Sequence, residues 1–505
     1  MKILTKKQMI NAEQNSVSYG VSLSHLMKNA GFALFTVIKD YAYKNMTNEC
    51  LLLIGSGNNG GDGLVCANYL KDAGINPTVV LLSDAKTDLA KDAFSALRSD
   101  IRVIKCIESI PTEEIINAKI IIDCVFGTGF HGEFSNNVKE VFSAVEKSLA
   151  YKIACDLPSG VNCENGFAAS CTVHYDKTVS FHAAKLGCLL SPAKEYCGEI
   201  QVCDIKIPSQ AENAFKTELF DISLAKAFLP ARPENSHKGT FGKASLLVGS
   251  DKYIGAAILS ANAALRSGVG IVHVMSTESV VKTIAPTVPE AIFTPLRSAS
   301  DGAVSEENLE VILHKTEKSS ALLIGCGIQK TPDTINLTKE IVSKYKGTII
   351  LDADGINCIC ENIDVLRNTE ANVVLTPHPA ELSRLVGKDL SNTLNNRISC
   401  VLDFCESFGV TVISKSRESF AYNGKKAYLI SKGNSALSKG GSGDMLAGIC
   451  ASLIAQGSEP LDAIALASYI LGECAETLSV SMSKRGILPR DILNSLPGVI
   501  FNIEN

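Results

Sequence analysis

Three short strings place carboxylates, amides and hydroxyls beside glycine-rich turns. Residues 55–63 read GSGNNGGDG, so Asn58, Asn59 and Asp62 share one turn with Gly60 and Gly61. Backbone amides at a helix start after such a turn bind anions. Gly55, Gly57 and Gly60 also satisfy GxGxxG, with Asp84 downstream to hold a ribose, which leaves a dehydrogenase reading open. Two side-chain amides and a carboxylate are more than a pyrophosphate turn needs. Asp123 ends a run of isoleucines and Asp156 ends YKIACD ahead of LPSG, so both carboxylates arrive where the glycine turn does. Oxygen atoms of Asn59, Asp123 and Ser159 could hold a hard cation of low charge.

The second half has a matching constellation. In SKGGSGDMLAG, the amides of Gly440 to Gly443 are placed at the start of an apolar helix to take phosphate oxygens. Asp444 follows them. A carboxylate beside phosphate has a use if it accepts a proton from an attacking hydroxyl. TPHPAELSR at 376–384 offers His378, Glu381 and Arg384 after a strand, and HKGTFGK at 237–243 adds a polar loop.

Elements to position these groups are legible as apolar runs. The first half alternates strand-like segments at 50–57, 77–83, 101–106, 119–127 and 151–160 with helical stretches. The second does so at 243–250, 270–276, 321–327, 348–355, 372–378 and 410–416. Such alternation is that of a parallel sheet between helix layers, with ligands at the carboxyl ends of the strands. The expected fold class is α/β: two three-layer α/β/α domains, 1–213 and 217–505, joined by a polar stretch near 208–222.

A chain of 505 residues, 46% hydrophobic and 20% charged, has material for two cores. The net charge of -5 and the lack of a dense basic run weigh against nucleic acid as a partner. No unbroken apolar stretch has the length of a membrane span or a signal peptide, so a cytoplasmic protein without membrane contact is expected. Seventeen cysteines, an odd number with no CxxC spacing, read as reduced thiols, Cys358 and Cys360 as structural ones.

Taken together, LTKKQM, LMKNAG, GSGNNGGDG, IDCVFGTG and DLPSG resemble the NAD(P)H-hydrate epimerase family over roughly residues 1–210. The resemblance implies a Rossmann-like fold and a potassium ion at Asn59, Asp123 and Ser159. It implies that substrate is held by Asn58, Asn59, Gly60, Gly61 and Asp62, by Gly127, Thr128, Gly129, Phe130, His131, Gly132 and Glu133, and by Asp156. Epimerisation at C6 of the hydrated ring requires loss of a hydroxyl to an iminium and return of water on the other face, and a positioned acid/base assists both steps. Asp156 is the expected catalytic group, with Lys185 a helper or a structural lysine. Lys28 stands where the family usually has an acidic residue.

HKGTFG, GAAILSANAALRSGVGIV, LDADGIN, TPHPAEL and KGGSGDMLAG resemble the NAD(P)H-hydrate dehydratase family, of ribokinase-like fold, over roughly 217–503. By that resemblance Gly327, His378, Pro379, Ala380, Glu381, Leu382, Ser383, Arg384 and Asp444 bind the hydrated dinucleotide. Lys415, Ser416, Arg417, Glu418 and Ser419, with Asn434, Ser435, Ala436, Leu437, Ser438, Lys439, Gly440, Gly441, Ser442 and Gly443, bind ADP or ATP with magnesium. Two stretches depart from the family pattern: GCGIQ at 325–329 and KSRES at 415–419. The implied activity is bifunctional repair of NADHX and NADPHX, the hydrated dinucleotides, by a homo-oligomer. The competing reading is a ribokinase-like small-molecule kinase fused to a Rossmann-like binding or dehydrogenase domain.

Overall fold

The computed structural model describes residues 1–106, 110–212, 216–390 and 394–505. Contacts divide the chain into two compact units, Met1–Lys216 and Thr217–Asn505. The expected domain limit at Asn213 lies outside the described residues.

In the first unit seven parallel strands lie in the spatial order Arg102–Lys105, Asn76–Leu81, Glu49–Ile54, Ile120–Cys124, Tyr151–Cys155, Lys177–Phe181, Glu199–Cys203. The period of two sorts the side chains of each strand between two cores. Leu52, Ile54, Ile120 and Ile122 share one with residues of the helices Leu23–Lys44 and Asn58–Asp72. Leu51, Leu53, Ile121 and Ala154 share the other with Val141, Phe142 and Val145 of the helix Asn136–Lys147. Burial on both faces explains why these strands read as unbroken apolar runs rather than alternating ones. The chain runs outward from Glu49–Ile54 in one direction and returns beside it at Ile120–Cys124. That reversal opens a crevice at the carboxyl ends of these two strands.

The second unit repeats this logic. Its sheet runs Ile292–Leu296, Ile271–Thr277, Lys243–Leu247, Ala321–Ile324, Thr348–Leu351, Asn372–Leu375, Thr411–Ser414, then Ser419–Tyr422 and Lys426–Ile430. Pairing is parallel up to Thr411–Ser414 and antiparallel beyond it. Leu246, Leu323, Ile350, Val374 and Ile413 pack on one face with the helices Ile254–Arg266, Ser442–Ala455, Pro460–Leu478 and Pro489–Glu504.

Among the described residues no single helix is long and apolar enough to cross a membrane. All seventeen cysteines are free thiols, Cys358 buried and Cys360 half-buried.

Candidate functional sites

The glycine turn after Glu49–Ile54 is shorter than its sequence implies. The helix begins at Asn58, so only Gly55, Ser56 and Gly57 form the loop, and the string NNGGDG is already helical. Close packing is the reason for its glycines. A Cβ on Gly60 would lie 2.2 Å from the Gly55 carbonyl oxygen, and one on Gly61 would lie 2.6 Å from Met27 Cε. The string therefore presents its side chains at helical spacing, with Asn58 and Asp62 one turn apart.

Asp123 is fully buried at the end of the neighbouring strand. Its Oδ1 accepts from Val125 N at 3.0 Å and Ser159 Oγ at 2.7 Å; its Oδ2 accepts from Ser159 N at 2.9 Å and the Tyr175 hydroxyl at 2.6 Å. Burial raises its pKa, with these four donors pulling the other way. Ser159 Oγ accepts in turn from Phe126 N at 2.9 Å, and Asn59 Nδ2 donates to the Phe126 carbonyl at 3.1 Å. Asn59, Asp123 and Ser159 thus meet around the backbone of Phe126. Neutral oxygens beside one buried carboxylate suit a monovalent hard cation by type. Because protein donors occupy all four acceptor positions of Asp123, its contribution there is charge.

Asp156 follows Tyr151–Cys155 in the left-handed region, φ 67°. Its carboxylate accepts from Phe181 N at 3.1 Å and from Lys185 Nζ in a short contact. Lys185, wholly buried, also donates to the Phe181 carbonyl at 2.9 Å and to Ser180 Oγ at 3.3 Å. A cavity of about 170 Å³ is lined by Asn58, Asn59, Asp62, Gly127, Thr128 and Asp156, together with Glu13, Met9, Met27 and neighbours. Asp84 is not in this wall, nor are Gly60, Gly61, Gly129, Phe130, His131, Gly132 and Glu133. Phe130 belongs to an aromatic cluster with Phe126 and Phe134, so its side chain faces the core rather than a ligand. Glu133 is exposed and accepts from Ser170 N at 3.0 Å.

The second unit holds a cavity of about 840 Å³. One wall is the start of the helix Ser442–Ala455: Gly440, Gly441, Ser442, Gly443 and Asp444. Gly441 caps this helix at φ 100°, a conformation that favours glycine. A Cβ on Gly443 would come within 3.4 Å of Lys415 Nζ. The glycine run thus leaves the N-terminus of this helix with little side-chain bulk of its own, beside the Lys415 ammonium. Lys415, Ser416, Arg417 and Ser419 line the cavity, as do Asn434, Ser435, Leu437, Ser438 and Lys439. Ala436 and Glu418 are buried and do not. Asn434 Nδ2 donates to the Ala475 carbonyl and to Ser479 Oγ, and Lys439 Nζ to the Arg485 carbonyl, so both also hold the wall together.

Asp352, to which sequence reasoning assigned no role, is central. It is buried, accepts from Lys415 Nζ at 2.7 Å and bonds Thr376 Oγ1. Burial lowers the pKa of Lys415, but Asp352 and Glu381 outweigh it and leave the lysine raised. Cys326, Asp352 and Asp444 have their polar atoms within 4.8 Å of one another. Burial, then the charge of Asp352, pushes Asp444 up to about 6, opposed by Cys326 and Lys415.

His378 caps the helix Pro379–Val386. Its Nδ1 accepts from Ala380 N at 3.1 Å and Glu381 N at 3.4 Å, while the His378 backbone N–H donates to Glu381 Oε2 at 2.8 Å. His378 and Glu381 face the cavity; Gly327, Pro379, Ala380, Leu382, Ser383 and Arg384 do not line it. Leu382 is fully buried, a consequence of helical spacing that a contiguous motif conceals. Arg384 bonds Asn357 Oδ1 at 3.1 Å. Lys432, tied to Glu473 and Glu476, and Lys484 also line the cavity, without any glycine-rich motif to advertise them.

The family model described as NAD(P)H-hydrate dehydratase matches residues 244–498, and that described as YjeF-related protein N-terminus matches 23–187. A bifunctional NAD(P)H-hydrate repair enzyme of Archaeoglobus fulgidus is 31% identical over 455 residues, covering 90% of this chain and 89% of the relative. The chain belongs to the bifunctional NAD(P)H-hydrate repair enzyme family. Another member, from Methanothermobacter thermautotrophicus, is 30% identical over 516 residues, covering 99% of this chain and 95% of its own. Among solved structures, the ADP/ATP-dependent NAD(P)H-hydrate dehydratase of Bacillus subtilis, co-crystallised with ATP and Mg2+, has 28% identity and a TM-score of 0.50. The match covers 57% of this chain and 98% of that one. A ribokinase-like superfamily protein of Enterococcus faecalis, 24% identical with a TM-score of 0.50 over 57% of this chain and 97% of its own, shows the same fold.

Proposed function

We propose that residues 1–213 interconvert the S and R forms of NADHX and NADPHX, and that residues 217–505 dehydrate the S form at the expense of ADP or ATP. With ADP the products are NADH or NADPH, AMP and phosphate. The observation that carries this reading is Asp444 in the first turn of the helix that follows the glycine run, lining one cavity of about 840 Å³ with Asp352, Lys415 and His378.

A hydroxyl leaves poorly, and phosphorylation turns it into a phosphate ester that the ring nitrogen can expel. Asp444 takes the hydroxyl proton as the oxygen attacks the terminal phosphoryl group. Asp352 and Lys415 fix its surroundings, and the amides of Gly440 to Gly443 receive phosphate oxygens. The electron pair on N1 then drives out phosphate, and loss of a C5 proton restores the dihydropyridine. Magnesium accompanying the nucleotide would neutralise charge on the phosphates.

In the first unit Asn59 and Ser159 would offer oxygens, and Asp123 its charge, to a potassium ion, which would supply fixed positive charge beside the cavity. Asn58, Asp62, Thr128 and Asp156 line the space where the hydrated ring would sit. Coupling the two activities makes chemical sense, because hydration yields both C6 epimers and a dehydratase selective for one strands the other.

The test is product analysis on the full chain. Pure R hydrate without nucleotide is expected to approach an R/S mixture, and S hydrate with ADP and magnesium to give NADH, AMP and phosphate in equal amounts. A stable phosphorylated product, or nicotinamide oxidation, would refute the reading in favour of the kinase and dehydrogenase alternative.

A further inference from the structure

The first-unit cavity has three carboxyl groups near one another, and they differ in what holds them. Asp156 accepts from Lys185 and from the Phe181 amide. Asp62 and Glu13 line the same cavity, yet no hydrogen bond or ion pair links either to another described residue. Glu13 projects from the helix Lys6–Ser18, one turn beyond Met9, which lines the cavity too. The charged groups facing it are Asp156, Lys185 and Asp62. Burial, then the charge of Asp156, raises the Glu13 carboxyl to about 7 against the opposing pull of Lys185. Asp62 is raised well above its ordinary value, by burial first and then by Asp156 and Glu13.

Epimerisation needs one group that can give a proton to a leaving hydroxyl and later recover it. An acid/base works best when both its forms are populated at the working pH and its oxygens are free to reach the substrate. Asp156, engaged by an ammonium and a backbone amide, is placed to position ligand. Glu13 has the open oxygens.

We propose that Glu13 is the general acid/base of the epimerase site, with Asp156 and Lys185 as a positioning pair. This rests on the assignment of the cavity to hydrate epimerisation. The Glu13 carboxyl gives its proton to the C6 hydroxyl oxygen; the C6–O bond breaks as the N1 electron pair forms the iminium, and water departs. Water then adds to the opposite face, the C6–O bond re-forms, and the iminium electron pair returns to N1. The proton released by that water passes through solvent to the Glu13 carboxylate, which restores the acid for the next turnover.

The experiment follows R to S conversion of pure NADHX by the full chain without nucleotide, across the neutral pH range. Variants are Glu13→Gln, Glu13→Asp and Asp156→Asn. Glu13→Gln is expected to lower kcat by at least about a hundredfold with KM little changed, and to abolish the inflection near neutrality. Glu13→Asp should recover part of the rate with a shifted inflection, and Asp156→Asn should act mainly on KM. Unchanged kcat and pH profile in Glu13→Gln overturn the inference, as does a loss of hydrate binding in both Glu13 variants. If the wild type itself fails to interconvert the epimers, it is the assignment of the cavity that falls.

Discussion

If Asp444 deprotonates the hydroxyl of the hydrate, dehydration must fade as this carboxyl is protonated. Its pKa is raised from 3.8 to about 6 by burial first and by the charge of Asp352 second. A base is active in its deprotonated form, so activity is present above about pH 6 and lost below it. At pH 7 about nine-tenths of Asp444 is ionised and at pH 5 about one-tenth, an expected fall of about tenfold in kcat/KM. Asp352→Asn removes the anion beside Asp444 and frees the Lys415 ammonium from its 2.7 Å partner. Both changes favour the ionised carboxyl, so the midpoint should move to lower pH. The assay is the initial appearance of dihydropyridine absorbance from S hydrate, at limiting hydrate and ADP so that the free enzyme is reported, against an enzyme-free blank at each pH. A wild-type profile flat to pH 5, or a midpoint in Asp352→Asn that stays or rises, refutes the reasoning.

Further outcomes follow from the same contacts. Lys185→Met leaves Asp156 beside Asp62 and Glu13 without its cation; breaking a buried pair this way typically costs about 3–5 kcal/mol, and faster proteolysis of residues 1–212 with epimerase loss is the expected result. Gly60→Ala sets a methyl 2.2 Å from the Gly55 carbonyl oxygen, so the helix start must shift, and epimerisation should drop while dehydration of pure S hydrate is unchanged. Ser159→Ala removes a hydroxyl that bonds Asp123 at 2.7 Å; titration of the sodium-form enzyme with potassium chloride, followed by thermal unfolding, should show stabilisation in the wild type that the variant lacks.

The central strands of both sheets were legible because strands buried on two faces are unbroken apolar runs, whereas Lys177–Phe181, Glu199–Cys203 and Ile292–Leu296, interrupted by polar residues or proline, were not among the segments read as strands. The hairpin Ser419–Tyr422 and Lys426–Ile430 escaped notice although Asn423 and Gly424 carry a turn signal between two apolar runs. The early start of the helix at Asn58 was hidden by its glycines, which sequence reading treats as loop formers and the structure uses for close packing. Asp352 carries the same strand-end signature as Asp123 and could have been found by it. Glu13 could not: it stands one turn beyond the LTKKQM string with no glycine turn or strand end beside it, and only the tertiary fold sets it beside Asp62 and Asp156. Contiguous motifs also overreach, as Phe130 and Leu382 show, since a helix or turn directs only some of its residues toward a ligand.

The central claim is that one chain returns both epimers of a hydrated dinucleotide to the reduced form. Its most direct test is absorbance recovery from a mixture of R and S NADHX with ADP, magnesium and potassium, for the wild type, Asp156→Ala and Asp444→Asn. Full recovery by the wild type, recovery that slows sharply after the S fraction in Asp156→Ala at limiting hydrate, and no recovery in Asp444→Asn are the expected results. Absence of recovery by the wild type with either ADP or ATP would contradict the account.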